Sequence, residues 1–321
     1  MDVDRRARSP HTVTDVPRRG SQSLVLAAIL FGAVRSASAQ DLEPRAYIAL
    51  PVDATFLIAG GGRSSGGVLL DPSLPVENAQ ATLGIINVGV GHSFDLFGRM
   101  ALLVAGLPGA RAVVTGDVRE SAQRASRVGL ADSRVKLSVN LLGGAAKRAR
   151  ELATAPRAAV LGVSLTTGIP TGQYDRTKLV NLGSHRWSFK PEIGLTVPIG
   201  PRWRLEGYAG VWMFTPNNAY YPGSVRQTQD HVVAVQTHAT YSIRPQLWVA
   251  ADATWYRGGT TTVGAERKDN LQSASRIGAA ISVPISRRQS LKAAYSTGAT
   301  TRFGADFNTL AVAWQMTWVK P

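Results

Sequence analysis

The stretch HVVAVQTHATYSIRPQLWVAADATW, residues 231–255, decides the fold. Val233, Val235, Thr237, Ala239 and Tyr241 fall on one face of an extended chain. Ala234, Gln236, His238, Thr240 and Ser242 fall on the other. Side chains of a strand alternate with a period of two, so one face is apolar and the other polar. Ile243, Arg244 and Pro245 break the run, and then Leu247, Val249, Ala251, Ala253 and Trp255 oppose Asp252 and Thr254. Two such runs joined by a tight turn form an antiparallel hairpin.

The same alternation recurs along the chain. Val135, Leu137, Val139 and Leu141 alternate with Arg134, Lys136, Ser138 and Asn140. Trp187, Phe189, Ile193, Leu195 and Val197 alternate with Ser188, Lys190, Glu192 and Thr196. About twelve runs are predicted, over 54–60, 80–92, 97–106, 130–142, 157–168, 186–197, 202–214, 229–242, 246–257, 271–284, 289–300 and 307–319. Connections alternate between short turns (94–96, 200–201, 244–245, 286–288) and longer polar loops (61–79, 107–129, 169–185, 215–228, 258–270). The segment 143–156 is long where a turn is expected, and 301–306 is short where a loop is expected. AAKRARELA, inside 143–156, is expected to make a helical turn or two.

A soluble β-sandwich or barrel and a membrane barrel both fit amphipathic strands. Three features favour the membrane version. The runs are about 10–14 residues, past the globular mode of about 5–6 and near the membrane requirement of about 9–11. Their number is even and long loops alternate with short turns. Aromatics gather at strand ends, as girdles do: Trp187, Trp212 and Trp255 toward the long loops, with Phe214 and Tyr256, and Trp203, Tyr241 and Trp318 toward the other side, with Trp248. The expected fold is all-β, a closed up-and-down antiparallel outer-membrane β-barrel of about twelve strands with both termini in the periplasm. Lipid cannot satisfy backbone groups, so such a sheet must close on itself. Pro191, inside a strand, removes a ladder donor and is expected to cause a bulge or local distortion.

The N-terminus agrees with export. Arg18 and Arg19 precede the apolar run 24–34, and Ala37-Ser38-Ala39 forms a small-residue cleavage site, so residues 1–39 read as a secretory signal peptide and 40–321 as the barrel. The 321 residues contain no cysteine, which excludes disulfides, thiolate metal sites and cysteine nucleophiles. The net charge is +15; six Arg and three Asp in residues 1–39 account for +3 of it, leaving +12.

That basicity raises nucleic acid as a partner, and LVNLGSHRWSFKPEIG (179–194) interleaves cations and aromatics as single-strand binders do. Alternation dissolves this reading. Trp187 and Phe189 fall on one face and Lys190 and Glu192 on the other, so a stacked base and its phosphate could not be met together. An exported protein also seldom meets nucleic acid.

PTGQYD (170–175), KLVNLGSHRWSFKPEIG (178–194), LEGYAGVWMFT (205–215) and SRVKLSVNLLG (133–143) resemble the outer-membrane proteins of the MetA-pathway-of-phenol-degradation transporter family. The resemblance runs from about residue 40 to the C-terminus. It implies a Gram-negative outer-membrane barrel with a proposed role in the passage of small compounds, aromatic ones among them. The chain ends TWVKP rather than on the terminal aromatic used for recognition by the barrel-assembly machinery, and Trp318 is expected to serve in that place.

With the polar faces inward, the pore lining is expected to hold Arg134, Lys136, Lys190, Arg204, Arg276 and Lys292 against Glu192, Glu206 and Asp252. Six cations to three anions would favour anionic solutes. The expected function is a passive channel for small solutes; the alternative is a plugged structural or adhesive barrel whose long loops bind partners. Expected partners are the bilayer, a small-molecule solute and the assembly machinery. No catalytic residue, cofactor or metal is expected. His92, His185, His231 and His238 lie in no nucleophile-elbow context and show no metal-ligand spacing. GGGRSSGG (60–67) lacks the Gly-Lys-Ser/Thr ending of a phosphate loop and reads as a flexible surface loop. Lys147, Arg148, Arg150 and Arg157 read as a solvated periplasmic connection.

Overall fold

A computed structural model describes residues 43–69, 76–118, 121–178, 180–221, 224–302 and 304–320; the proposed signal peptide lies outside them. The strands are β1 (Ala54–Leu69), β2 (Val76–Leu96), β3 (Arg99–Val118), β4 (Ser121–Leu130), β5 (Ser133–Leu142), β6 (Val160–Ile169), β7 (Ser188–Ile199), β8 (Trp203–Phe214), β9 (Asn217–Tyr220), β10 (Val225–Gln229), β11 (Val232–Arg244), β12 (Leu247–Gly258), β13 (Thr261–Val263), β14 (Glu266–Arg267), β15 (Gln272–Pro284), β16 (Gln289–Thr301) and β17 (Gly304–Val319). β4 and β5 both pair with β3 and are one stave broken at Ala131–Asp132. β1 pairs with β2 on one side and β17 on the other, so the sheet closes on itself. The result is a twelve-stave antiparallel barrel, as the alternation predicts.

Alternation is read out directly as burial. In β7, Lys190, Glu192, Gly194 and Thr196 are buried, while Pro191, Ile193, Leu195 and Val197 are exposed. The apolar face therefore points outward, the reverse of a soluble barrel, and suits a hydrocarbon solvent.

The wall is uneven. β2 and β3 run for 21 and 20 residues, while β6, β7 and β8 run for 10 to 12. Since β2 and β3 join through the two-residue turn Phe97–Gly98 (φ +53° and +78°), their excess length lies at the opposite, extracellular end.

This corrects two expected loops. Residues 61–69 continue β1, and 107–118 and 121–130 form a projecting hairpin. GGGRSSGG is strand, bonded on both sides, with Gly60 opposite Ala313 and Asn87. Glycine shows no side-chain alternation, so the pattern was invisible there. The close approach needs it, since a Cβ on Gly66 would lie 2.0 Å from the Asp306 carbonyl oxygen.

The loops 215–228 and 258–270 contain a four-stranded sheet, ordered β14-β13-β10-β9, which packs with the loop after β6. Val180 and Tyr220 form a small core there with Ala125 and Val263. The Asp132 carboxylate accepts the Gly172 and Ser184 amides and anchors this loop to the break between β4 and β5. On the periplasmic side, 149–154 form a short helix, α1, as AAKRARELA predicts.

Pro191 makes no bulge. Its pairing with Leu165 of β6 is continuous. Toward β8 the ladder lapses between Phe189 and Glu192 and resumes in the same register.

Candidate functional site

The interior is occupied by residues the alternation could not place. The segment 43–53 precedes β1 and lies within the barrel. At its foot, the Val52 amide donates to the Lys147 carbonyl, and the Asp53 amide to the Ser93 carbonyl. Above that, Tyr47 is fully buried; its hydroxyl donates to Glu192 Oε1 at 2.9 Å and pairs with Ser164 at 2.8 Å. Its ring packs edge-on to Tyr208, with centroids 5.0 Å apart. A Cβ on Gly194 would come within 2.2 Å of that ring, and one on Gly162 within 2.4 Å. Glycine at these two facing positions makes the seat for Tyr47.

Charge holds the rest. The Arg45 amide donates to Glu206 at 3.0 Å, its guanidinium donates to Ser242 at 2.7 Å and lies over the Trp248 ring at 4.6 Å. The Ala46 amide donates to the Tyr208 hydroxyl. Lys136 reaches Glu43 at 2.5 Å. The Lys136 ammonium, with Lys190 behind it, holds the Glu43 carboxyl well below the usual carboxylate range, against the opposing effect of burial. Burial, followed by the Glu192 charge, pushes the Tyr47 hydroxyl up, so it remains the donor in its bond to Glu192.

The nine charged residues expected inward divide into groups. Lys190 and Glu192 pair at 2.8 Å, and Lys136 lies 3.9 Å from Glu192. Glu206 also accepts from Thr196 and Tyr208. Arg134 and Lys190 lie over the Trp212 ring, at 6.0 and 5.5 Å. Lys292 lies over Trp248 at 5.8 Å. Arg276 donates to Ser296, Thr309 and the Phe307 carbonyl, away from the N-terminal segment. Arg204 is half-buried beside Arg45 and Glu206. Asp252 pairs with His238 Nδ1 at 2.6 Å. With Arg45 and Glu43 added, the set becomes seven cations and four carboxylates.

Four aromatics expected in a girdle stand elsewhere; one is Phe214, which shares Trp212's side of β8 and packs against its cluster. Trp212 is buried inside the barrel, as are Trp248 and Tyr256. The reason is parity: Trp203 and Trp212 are nine residues apart on β8, so one faces out and the other in. Trp187, Trp203, Trp255 and Trp318 are exposed, and the Tyr241 ring lies tilted against Trp203 with centroids 4.9 Å apart.

The remaining wall is different. The inward positions of β1, β15, β16 and β17 include Gly60, Gly62, Gly278, Ala294 and Ala311. Their face is marked by Ser64, which bonds Thr309, itself bonded to Arg276. Glu43, Arg45 and Tyr47 were missed because a segment with no periodicity announces no partner; paired glycines on adjacent strands at 162 and 194 were the available trace. Of the other histidines, His92 bonds Thr55 and His185 stacks on Tyr174. Among the described residues no three His, Asp or Glu side chains cluster to hold a metal.

The barrel is similar to solved outer-membrane proteins. The COG4313 outer membrane channel from Pseudomonas putida F1 shares 18% identity, covering 87% of this chain and 100% of that one, with a TM-score of 0.74. The translocator domain of the autotransporter NalP from Neisseria meningitidis shares 9%, covering 90% and 99%, at 0.52. The transport unit of the autotransporter AIDA-I from Escherichia coli shares 10%, covering 94% and 99%, at 0.50. No curated protein matches the chain. The fold and these likenesses place it in the bacterial outer membrane. Residues 74–312, well over half of the sequence, match the family described as "Putative MetA-pathway of phenol degradation", and the chain belongs to that family.

Proposed function

We propose that the protein is a passive outer-membrane channel for small solutes, and that solutes pass between the N-terminal segment and the wall of small residues. The observation that carries this reading is the division of the interior. One side is filled by ion-paired chain, and the facing side presents mostly glycine, alanine and serine, with Arg276 and Lys292 among them. A second observation agrees. Asp252 Oδ2, His238 Nε2, Gln236 Oε1 and Thr254 Oγ1 are buried without a protein partner. Such atoms are costly unless water or a solute meets them, which favours a hydrated bore.

In this reading Arg134, Lys136, Lys190, Glu192, Arg204, Glu206, Asp252, Arg276 and Lys292 line the passage. The excess of three positive charges is unchanged by Glu43 and Arg45, and it favours anionic solutes. The family description names phenol degradation, and the P. putida protein is described as a channel; both are consistent with small aromatic acids. The reading assigns no catalytic residue and no cofactor. Trp187, Trp203, Trp255 and Trp318, with Tyr241, form the interfacial girdle.

The N-terminal segment and the extracellular sheet favour a second reading, a plugged barrel whose outer loops bind partners. Planar-bilayer recording separates the two. The channel reading expects current from the full chain and a larger current when residues 43–50 are deleted. No current from either protein at any salt overturns it. In a KCl gradient the reversal potential should show anion preference; cation preference contradicts the charge assignment.

A further inference from the structure

We propose that the outer face of β7, β8 and β11 holds one anionic glycerophospholipid of the periplasmic leaflet, its phosphate on Arg202 and Arg244 and an acyl chain in a furrow above them.

The periplasmic turns are not alike. Asp95 sits by the β2–β3 turn, and Glu151 in α1, among the cations of that half. The turns after β7, β11 and β15 read Gly200-Pro201-Arg202, Arg244-Pro245-Gln246 and Ile285-Ser286-Arg287-Arg288, with no acid. Among the described residues none of these four arginines is in an ion pair. Arg202 and Arg244 are neighbours, because β8 pairs with β11 and the Ser242 amide donates to the Arg202 carbonyl. The Arg202 guanidinium donates to the Tyr241 hydroxyl at 2.9 Å. Tyr241 and Ile243 belong to the lipid-facing side of β11, so the charge is held at the outer rim and not in the bore. Fixed arginine beside an interfacial tyrosine is a donor set for a phosphodiester.

The furrow begins above the Trp203–Tyr241 ring pair. Gly207 and Ala209 form its floor, Ile193 and Leu195 one bank, and Val235 and Thr237 the other, around a concavity of about 300 Å³. Strands tilted by about 40° at about 3.3 Å per residue put these floor positions roughly 13–18 Å above Arg202, the depth of one leaflet. Phosphate and chain therefore match one lipid molecule. Lipopolysaccharide belongs to the opposite leaflet and cannot reach the arginines.

Native mass spectrometry of the detergent-released barrel, with phosphatidylglycerol, phosphatidylethanolamine or glycerol 3-phosphate added, tests this. Wild type should retain one phosphatidylglycerol at about fivefold the occupancy of phosphatidylethanolamine, and glycerol 3-phosphate should neither bind nor compete. R202Q/R244Q should abolish the preference. Gly207→Leu should lower occupancy while leaving the barrel intact, since a Cβ there meets nothing within 4 Å. Heat-modifiable electrophoretic mobility reports folding; if the arginine double variant misfolds, Gly207→Leu decides. Equal retention of both lipids, full retention by Gly207→Leu, or competition by glycerol 3-phosphate overturns the proposal.

Discussion

The two sides of the barrel interior solve opposite problems with the same backbone. From β5 to β12 the inward positions include Lys, Glu, Tyr, His and Trp, and they grip an eleven-residue segment through hydrogen bonds, ion pairs, an edge-on ring pair and a cation over a ring. From β15 through β17 to β1 the inward positions are mostly small. A closed sheet fixes the bore, so occupancy is set by side-chain size alone. The contrast shows how one barrel can be both filled and permeable: the charged side immobilises chain, and the small side leaves room.

Filling the small side should have the largest effect. Ala311→Trp should cut single-channel conductance by about tenfold or more, because it sets a large ring among the small residues that border the proposed solute path. Unchanged conductance would break the distinction between the two sides. Weakening the grip of the charged side comes next. Tyr47→Ala removes the bonds to Glu192 and Ser164 and the ring contact with Tyr208, and should raise conductance about threefold. Unaltered conductance in that variant would mean that the segment does not limit the bore.

How much of this was legible depends on what a side chain reports. Val233 through Tyr241 announce their face by alternation, and twelve staves follow from repetition of that pattern. The run GGGRSSGG has the same geometry, but it holds five glycines and no apolar side chain to mark a face, so it read as loop. Trp203 and Trp212 were both assigned outward although parity separates them, an error of counting rather than of physics. The small sheet of β9, β10, β13 and β14 uses strands of two to five residues, too short for a period to be recognised. Glu43, Arg45 and Tyr47 are held by contacts more than 90 residues away in sequence, and no local pattern encodes such distances.

Stability offers a smaller test of the same contrast. Gly66→Ala, on the tightly paired small side, should destabilise the barrel by about 1–3 kcal/mol in urea unfolding. Gly207→Ala, on the outer face, should change it by less than about 0.5 kcal/mol. Comparable losses at both positions would show that the close approach of Asp306 does not set the cost at Gly66.

The smallest expected effect concerns acid. Glu43 has a depressed folded-state pKa, so its contribution is complete above the ordinary carboxylate range and is lost only as pH falls through the lower value. Conductance between pH 7 and about 5 should therefore stay flat with respect to this contact, while Glu43→Gln should show a modest rise at every pH. A rise confined to pH 5–7 in wild type would contradict the Lys136 contact.

Asp53, at the foot of the N-terminal segment, carries a further consequence. Its amide donates to the Ser93 carbonyl at the end of β2, and its own carbonyl accepts the Lys320 amide at 3.3 Å. A residue just beyond β17 thus fastens the base of the segment that precedes β1. Until β17 reaches β1, that fastening does not exist, and the base of the segment rests on its bonds to Ser93 and Lys147. Closure of the cylinder therefore adds one more bond at the root of the chain that occupies the bore, and sealing of the sheet and pinning of its contents meet at Asp53.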